Sequence, residues 1–207
     1  MSVIPPTGDP LVGRTIRLDP TVAADAVGLH DVYGDPQAYR QGYVMSRPHT
    51  TLEQTRRRVA DAVAARAADG TGRTAYTIRL RTDSDLGAAG TVVGTSSLGD
   101  VDLAREHVHL GWTFYGSRWW GTAVNPEAKL LLLTHAFEVC GFGRVKIQTD
   151  VVNERSQAAI RKLGARFEGI TRRDVRRVDG SWRDSAVFSI LVDEWPAVRA
   201  GLADRLR

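Results

Sequence analysis

The segment that most constrains the fold lies between residues 112 and 133, where an aromatic strand runs through a short turn directly into a helix. The turn contains Arg118 and Gly121, and Ala123 precedes the aliphatic helix. The first turn of a helix presents unpaired backbone N–H groups and the positive end of the helix dipole, and together these favour a phosphate. Arg118 adds a forked cation, Gly121 lets the backbone approach a ligand closely, and Ala123 leaves the start of the helix open. The segment therefore predicts a pyrophosphate-binding loop; the alternative is a tight turn with an exposed arginine and two packed tryptophans.

Length and charge are compatible with one globular domain. The chain has 207 residues, a net charge of +4 and a pI of about 9.6, and this length can bury a sizeable core. The positive charge comes from 25 Arg against only 3 Lys. Guanidinium groups suit phosphates and carboxylates, but a codon bias that replaces Lys by Arg is the simpler cause of the overall count. We therefore do not expect a nucleic-acid partner.

The cysteine content and the absence of a targeting signal indicate a soluble cytoplasmic protein. Cys140 is the only cysteine, which excludes an internal disulfide and a cysteine-based zinc site, and no metal is expected. Residues 1–10 contain Pro, Gly and Asp and are expected to form a flexible N-terminal tail rather than a signal peptide. The longest aliphatic run, Leu130–Leu133, is too short to cross a bilayer. No membrane partner is expected.

The hydrophobic pattern predicts strands and helices in the order β-α-α-β-β-β-α-β-α-β-β, followed by a helical or frayed end. Thr50 or Thr51 is expected to cap the second helix, and further helices are expected over residues 124–140 and 154–163. Helices and strands intermix, and the central strands join as hairpins. The pattern therefore predicts a mixed α+β fold with a mostly antiparallel sheet and helices on both faces, in a single domain over residues 11–207.

Residues 106–115 alternate between apolar and other side chains, which is typical of a half-buried strand. The alternation predicts one apolar face and one mixed face. The expected apolar face consists of Val108, Leu110, Trp112 and Phe114, and the opposite face of His107, His109, Gly111 and Thr113.

A second candidate element spans residues 153–169. Asn153 follows a predicted strand and precedes a helix, so helix capping is the plain explanation for it. Ser156 falls one turn into that helix and would face the same cleft as the loop around Gly121. Gly164 is typical of the residue that ends such a helix.

Together these motifs resemble the GNAT superfamily of acyl-CoA N-acyltransferases, in its RimJ/RimL-like branch. Leu110-Gly111-Trp112 is similar to the family's Ile-Gly-Tyr on the strand before the loop. The similarity in spacing and order runs from about Gly13 to Trp195, which is nearly the whole chain. The other matching residues are Arg118-x-x-Gly121-x-Ala123, Glu127-Ala128, Asn153-x-x-Ser156 and Lys162-Leu-Gly164-Ala-Arg-Phe-Glu168-Gly169.

The resemblance implies the family's three-layer fold, with acetyl-CoA in a V-shaped cleft between two splayed strands, here residues 106–115 and 144–151. It implies that the loop binds the pyrophosphate, that the pantetheine pairs with the strand backbone, and that Asn153 bonds the pantetheine amide. Ser156 would donate a hydrogen bond to the leaving thiolate, since the tyrosine used by many other members is absent from this helix. Trp119 and Trp120 would either shield the donor or simply pack. The implied donor-binding residues are Trp112, Thr113, Phe114, Arg118, Trp119, Trp120, Gly121, Thr122, Ala123, Asn153 and Ser156.

The general base is less well defined. An amine that attacks the thioester must lose a proton, so a carboxylate or histidine is expected near it. The family often has a glutamate on the strand before the loop, and the matching position here is His109. His107 shares its face, and Glu106 is one residue away. The order of preference is His109, His107 and then Glu106; the alternative for each is an exposed strand residue without a catalytic role.

The resemblance thus implies an acetyl-CoA-dependent N-acetyltransferase that transfers acetyl directly to a primary amine in a ternary complex. The acceptor is either a protein N-terminus or a small-molecule amine. A covalent acyl-enzyme is disfavoured because Cys140 lies at the far end of its helix from the loop. The alternative function is a CoA-binding module without turnover, with a regulatory or assembly role. The resemblance is also compatible with a homodimer.

Two further regions give weaker indications. The arginines within residues 172–177 are expected on a solvated edge hairpin, or would attract an acidic acceptor. Tyr39 and Tyr43 lie between the first two helices, where the resemblance implies an acceptor pocket.

Overall fold

The computed structural model describes residues 2–40 and 45–207, which form one sheet with helices on both faces. A π-helical turn at His135–Val139 continues the third helix. The strands are β1 (Leu11–Val12), β2 (Ile16–Pro20), β3 (Thr74–Leu80), β4 (Val92–Asp102), β5 (His107–Tyr115), β6 (Arg144–Asp150), β7 (Arg166–Arg176) and β8 (Trp182–Leu191). The helices are α1 (Ala26–Gly34), α2 (Leu52–Ala64), α3 (Val124–Thr134), α4 (Glu154–Lys162) and α5 (Trp195–Asp204).

The strands of the described chain follow the order β1-β2-β3-β4-β5-β6-β8-β7 in one sheet. Neighbouring strands of this sheet run antiparallel, except for the parallel pair β5 and β6. These two strands pair only where His107, Val108 and His109 face residues 144–146. Beyond His109 the strands separate. The predicted mostly antiparallel sheet, splayed between two central strands, is confirmed.

Helices cover both faces of the sheet because each contributes an apolar stripe to a core. Helices α1 and α2 pack on β4 and β5 through a cluster that includes Leu29, Val59 and Phe114. Helices α3 and α5 contribute residues such as Leu132 and Leu202 to a larger cluster on the opposite face. The expected arrangement of helices on both faces is therefore confirmed.

Local hydrogen bonds set the helix starts. The Oγ1 atom of Thr51 accepts the N–H of Gln54 at 3.4 Å, while Oε1 of Gln54 accepts the N–H of Thr51 at 3.2 Å. This reciprocal pair is a capping box, and it confirms the predicted start of α2. At the start of α4, Oδ1 of Asn153 accepts the N–H of Ser156 at 3.0 Å. Both helix starts thus follow from polar side chains that the sequence places just before the helix.

A bulge in β5 changes the face on which the second half of the strand packs. Trp112 and Thr113 together stand opposite a single residue of β4, and Trp112 has a φ of 50°. One extra residue reverses the alternation of side chains after it. Val108 and Leu110 therefore belong to the core on the α3 side, whereas Phe114 packs with α1 and α2, and Trp112 is 39% exposed. The predicted single apolar face is wrong beyond Leu110.

Residues 2–10, expected as a tail, form no helix or strand, yet several contacts tie them to the domain. The backbone N–H of Ile4 donates to the carbonyl of Cys140 at 2.9 Å. The guanidinium of Arg66 donates to the carbonyl of Thr7 at 2.6 Å, and Val3 packs against the larger core cluster. These contacts hold the segment along the body of the protein.

Lys129 of α3 is a buried cation beneath the bulge. Its Nζ donates to Oγ1 of Thr113 at 2.7 Å and to Oγ of Ser96 at 3.3 Å, and the residue is 5% exposed. Burial lowers the pKa of Lys129 to about 7, because surroundings of low polarity disfavour the charged amine. Two hydroxyl groups therefore hold this amine, and Thr113 faces α3 rather than the side of His109.

Replacing Lys129 with methionine is expected to stabilise the fold and to remove part of its pH dependence. The folded chain releases the amine proton near pH 7, whereas the unfolded chain keeps it to about pH 10.4. Between these values the unfolded state binds more protons, so wild-type stability rises with pH by up to about 1.4 kcal/mol per pH unit, and the penalty is complete below about pH 7. Denaturant unfolding of both proteins at about pH 7, 8 and 9 measures this. A methionine variant that keeps the wild-type slope would contradict the prediction.

Candidate functional site

The separated halves of β5 and β6 form the two walls of a V-shaped cleft. Strand β5 leads into a loop at residues 116–123, here called the β5–α3 loop, and β6 leads to Asn153 and the start of α4. Because the two strands are parallel, both connections lie at the same edge of the sheet. The N-terminal ends of α3 and α4 therefore meet at the open end of the cleft.

The β5–α3 loop presents unsatisfied backbone donors. The N–H groups of Gly121, Thr122 and Ala123 have no acceptor within the described residues. Gly121 has a φ of 76°, and a Cβ atom there would meet nothing within 4 Å. The Oγ1 atom of Thr122 fixes the turn, since it donates to the carbonyl of Trp119 at 2.7 Å and accepts the N–H of Val124 at 3.3 Å. Successive free N–H groups at a helix start are suited to binding an anion.

Two tryptophans within this loop fix its conformation through hydrogen bonds. The Nε1 atom of Trp119 donates to the carbonyl of Leu86, and that of Trp120 to the carbonyl of Tyr115, both at 3.2 Å. Arg118 is exposed just before them in sequence, and its guanidinium carbon lies 5.8 Å from the centre of the Trp119 ring. The indoles therefore serve the loop structure, and the Arg118 side chain lies at the surface where a ligand can reach it.

Arg155, in the first turn of α4, lies across the open end of the cleft from the loop. Its guanidinium carbon is 3.2 Å from the centre of the Trp120 ring, a cation–π contact that joins the two walls. Burial lowers the pKa of Arg155 below its ordinary value. Arg155 was not among the predicted residues, because an arginine in the first turn of a helix gives no sign of what it faces.

Asn153 and Ser156 are both half-buried at the start of α4. The N–H of Asn153 donates to the carbonyl of Asp150 at 2.9 Å, and the carboxylate of Asp150 accepts a hydrogen bond from Arg177 at 2.7 Å. The Oγ of Ser156 has no hydrogen-bond partner among the residues that the structure describes. The two residues thus lie together on the β6 wall of the cleft. Their contacts with acetyl-CoA stay predictions.

His109 is buried, 5% exposed, and forms a pair with Asp100 of β4. The Nδ1 atom of His109 lies 3.0 Å from Oδ2 of Asp100, and Nζ of Lys146 donates to the same oxygen at 3.4 Å. The hydrogen bond with His109 lowers the pKa of Asp100 to about 2, so the carboxylate is ionised and can only accept. Nδ1 therefore carries a hydrogen. Asp100 has a φ of 48°, a conformation that aspartate tolerates better than most residues.

The other ring nitrogen of His109 is a buried acceptor. Within the described residues Nε2 has no hydrogen-bond partner. Burial lowers the pKa of His109 and outweighs the raising effect of Asp100, so the ring is neutral at pH 7 and Nε2 keeps a lone pair. A Cβ atom on Gly111 would lie 2.6 Å from Nε2. The His109 ring therefore occupies the position that a side chain at residue 111 would need, and only glycine allows this packing.

The two other predicted bases lie further from the bulge. His107 begins β5 and pairs with Arg144, at the closed end of the cleft. Glu106 is exposed in the turn before β5, with a φ of 57°. The structure therefore does not bring Glu106 and His107 to Gly111, against which His109 packs. Asp100 was missed from the sequence, since its partnership with His109 depends on a hairpin register that periodicity does not give.

A cavity of about 280 Å³ lies between α1, α2 and the sheet. Its walls include Tyr33 and Trp112, together with the charged side chains of Arg58, Asp61 and Arg73. The ring of Trp112 also contacts His109 in a tilted arrangement, with 4.8 Å between the ring centres. Trp112 therefore touches both the cavity and the buried histidine.

The remaining predicted residues have structural contacts. The hydroxyl of Tyr39 donates to the carbonyl of Tyr33 at 2.9 Å, and Tyr43 lies outside the described residues. Glu127, in the first turn of α3, accepts the backbone N–H of Thr15 at 3.0 Å. Burial raises the pKa of the Cys140 thiol to about 11, which makes it a poor nucleophile.

The arginines of the β7–β8 hairpin are also engaged. The guanidinium carbons of Arg173 and Arg176 lie 4.7 and 4.4 Å from the centre of the Trp182 ring. Arg177 pairs with Asp150, as described above. In the described parts of the chain, no helix is long and apolar enough to cross a membrane, and no group of three metal-ligating side chains occurs.

The chain is similar to known acetyltransferases in sequence and in structure. A family model described as an acetyltransferase (GNAT) domain matches residues 15–166. Among curated proteins, YdaF of Bacillus subtilis (strain 168), provisionally named a ribosomal N-acetyltransferase, is 31% identical over 106 residues. That alignment covers 51% of this chain and 57% of YdaF, so the match spans little more than half of the relative's length.

Solved structures share the whole fold. A protein from T. thermophilus, provisionally named an acetyltransferase, is 34% identical, with 96% of this chain and 97% of that chain covered and a TM-score of 0.81. RimL, a ribosomal L7/L12 alpha-N-protein acetyltransferase solved in complex with coenzyme A, is 18% identical. The similarity covers 90% of this chain and 99% of RimL, with a TM-score of 0.71, and it is a similarity of fold.

Replacing Gly121 with valine is expected to weaken binding of CoA by about tenfold or more, because a β-branched residue strains the positive φ and covers the free N–H groups. Gly180 offers a matched control, since it has a φ of 85° and equally open surroundings in the β7–β8 hairpin. Calorimetric titration with CoA compares the two valine variants. Equal CoA affinity in both variants and the wild type would disprove the role of the loop.

Proposed function

Because the chain belongs to the GNAT acetyltransferase family, we propose that it transfers the acetyl group of acetyl-CoA directly to a primary amine. The observation that carries this proposal is the buried His109 on β5, whose Nδ1 is held by Asp100 and whose Nε2 is an acceptor without a partner in the described chain. We propose an N-terminal amine of a peptide or protein as the acceptor, in line with the names of YdaF and RimL. A cytoplasmic location and a homodimer stay predictions.

The two walls of the cleft offer different contacts to the donor. The free N–H groups at Gly121–Ala123 and the exposed Arg118 suit the pyrophosphate. Beyond His109, no strand of the described chain pairs with the edge of β5 that faces β6, so the backbone there can pair with the extended pantetheine in the manner of an added strand. Asn153 on the opposite wall would bond the pantetheine amide. These residues fit an acyl-CoA donor better than they fit a bare nucleotide.

Two side chains, those of His109 and Ser156, then accept or donate hydrogen during the reaction. Acetyl-CoA supplies an acyl carbonyl activated as a thioester. When the amine attacks it, a C–N bond forms, the C–S bond breaks and one amine proton must leave. His109 takes this proton at Nε2. Ser156 donates a hydrogen bond from Oγ to the departing sulfur, which ends as the free thiol of CoA after protonation.

Asp100 acts on this reaction through His109. Its ionised carboxylate holds the hydrogen on Nδ1, keeps the ring oriented and stabilises the imidazolium that forms when Nε2 accepts a proton. Lys146, which donates to the same carboxylate, helps to fix the position of Asp100. Asp100 is therefore a positioning residue in this proposal.

Replacing His109 with alanine is expected to lower kcat by about 10²- to 10⁴-fold without loss of CoA binding, because only the proton acceptor is removed. Thiol release from acetyl-CoA in the presence of an amine panel measures the effect. His107→Ala provides the comparison with the next predicted base. An equal or larger loss in His107→Ala would move the role to His107, and CoA binding without thiol release for any amine would favour the silent module instead.

Replacing Asp100 with asparagine is expected to lower kcat and to shift its pH profile. In the wild type the acid limb should lie below pH 6.5, because the pKa of His109 is lowered and its neutral form is the base. Asp100 raises the pKa of His109, so its loss should move the limb to still lower pH while the plateau falls. A lower plateau with an unmoved limb would indicate a structural role only.

Replacing Gly111 with alanine is expected to lower turnover, because the new Cβ atom would lie 2.6 Å from Nε2 and would force the His109 ring away from its position beside Asp100. We expect kcat to fall by about 10²-fold or more, a loss comparable with that of a mispositioned catalytic group. CoA affinity and the unfolding midpoint serve as controls. Normal turnover in this variant would show that the reaction does not depend on the position of the His109 ring.

A further inference from the structure

The positive charge of the cavity beside Trp112 indicates which amine substrates the site prefers. We infer that it binds a carboxylate belonging to the acceptor and lying close to the reacting amine, so that acidic N-terminal peptides are preferred. The inference rests on the proposed function and names the substrate class of the same site. Its location follows from Trp112, which lines the cavity and also contacts the His109 ring in a tilted arrangement.

Among the described residues, two guanidinium groups and one carboxylate line the cavity. The guanidinium carbon of Arg58 lies 4.3 Å from the centre of the Tyr33 ring, and that of Arg73 lies 5.0 Å from the centre of the Trp112 ring. Asp61 is the acidic member of the lining. Stacking on an aromatic ring orients the planar guanidinium and limits its rotamers. The cavity thus has a formal charge of +1 with its cations held in place.

The field of Arg58 reaches its neighbours in this region. The pKa of His49 is lowered, first by burial and then by the positive charge of Arg58. Arg58 also donates to Oγ of Ser46 at 3.1 Å, which fixes one end of its fork. A positive potential here opposes an ammonium group, and a carboxylate on the same acceptor offsets that repulsion.

The size of the cavity indicates what part of the acceptor enters it. A volume of about 280 Å³ is at the lower limit of small-ligand pockets and matches one residue-sized group rather than a folded surface. Tyr33 and Thr95 add hydroxyl groups, whose oxygen atoms are 3.2 Å apart. Forked donors and hydroxyls around a small space suit a carboxylate, since guanidinium groups bind its two oxygens together.

The test compares peptides that differ in one charge. Ser-Glu-Ala-Ala-amide and Ser-Gln-Ala-Ala-amide have nearly the same shape, and only the first has a carboxylate. We expect kcat/KM about tenfold higher for the Glu peptide in the wild type. Arg58→Gln and Arg73→Gln should bring this ratio close to one. Arg57→Gln is the matched control, because Arg57 neighbours Arg58 on α2 but is exposed and paired with Glu53.

A second pair of probes separates peptides from small acids. 4-Aminobutyrate and 4-aminobutyramide differ in the same charge, and a preference confined to this pair would assign the carboxylate site to small amino acids. Equal kcat/KM within both pairs, or a ratio that survives in both arginine variants, would overturn the inference.

Binding of each probe to the CoA complex, measured by calorimetry, gives the same ratios without turnover. Complete absence of thiol release would therefore refute the proposed function, while the affinity ratios would still decide the charge preference.

Discussion

The short parallel pairing of β5 and β6 is the constraint on which the rest of the structure depends. Three pairs of residues join the strands, and the pairing then ends at His109. Because the strands separate, backbone groups that a continuous sheet would satisfy internally are left for another partner. The bulge at Trp112 acts at the same point, since it turns Phe114 towards α1 and α2 and leaves Thr113 facing Lys129. Cleft, cavity and buried histidine all follow from this local interruption of the sheet.

Much of the fold could be predicted from the sequence, because local signals specify it. Thr51 and Asn153 accept hydrogen bonds from the N–H groups of the helices they precede, as the capping residues in the sequence predict. The bulge could not be predicted, since Trp112 completes an unbroken apolar alternation and only the pairing with β4 reveals the extra residue. The roles of Asp100 and Arg155 could not be predicted for a similar reason, because each contacts its partner only through tertiary packing.

The exchange of the family's glutamate for His109 changes the electrostatics expected of this site. A carboxylate would enter the reaction as an anion, whereas His109 begins neutral and becomes positive on accepting a proton. Burial is the largest effect that lowers the pKa of His109, Asp100 raises it, and the positive charges of Lys146 and Arg183 lower it further. The basicity of the histidine therefore depends on burial and on neighbouring charges of both signs. The β4–β5 hairpin, which brings Asp100 beside the ring, supplies the effect that opposes burial.

Glu127 shows that the β5–α3 loop is not an independent module. It lies in the first turn of α3, is 4% exposed, and accepts backbone hydrogen bonds from Arg14 and Thr15 in the turn between β1 and β2. That turn belongs to the outer edge of the sheet, several strands away from β5. Helix α3, which follows the β5–α3 loop, is therefore held to the first hairpin of the chain by these hydrogen bonds. If the loop residues alone were moved into another protein, these hydrogen bonds to Glu127 would be lost. The N–H groups at the start of α3 would then no longer keep their orientation.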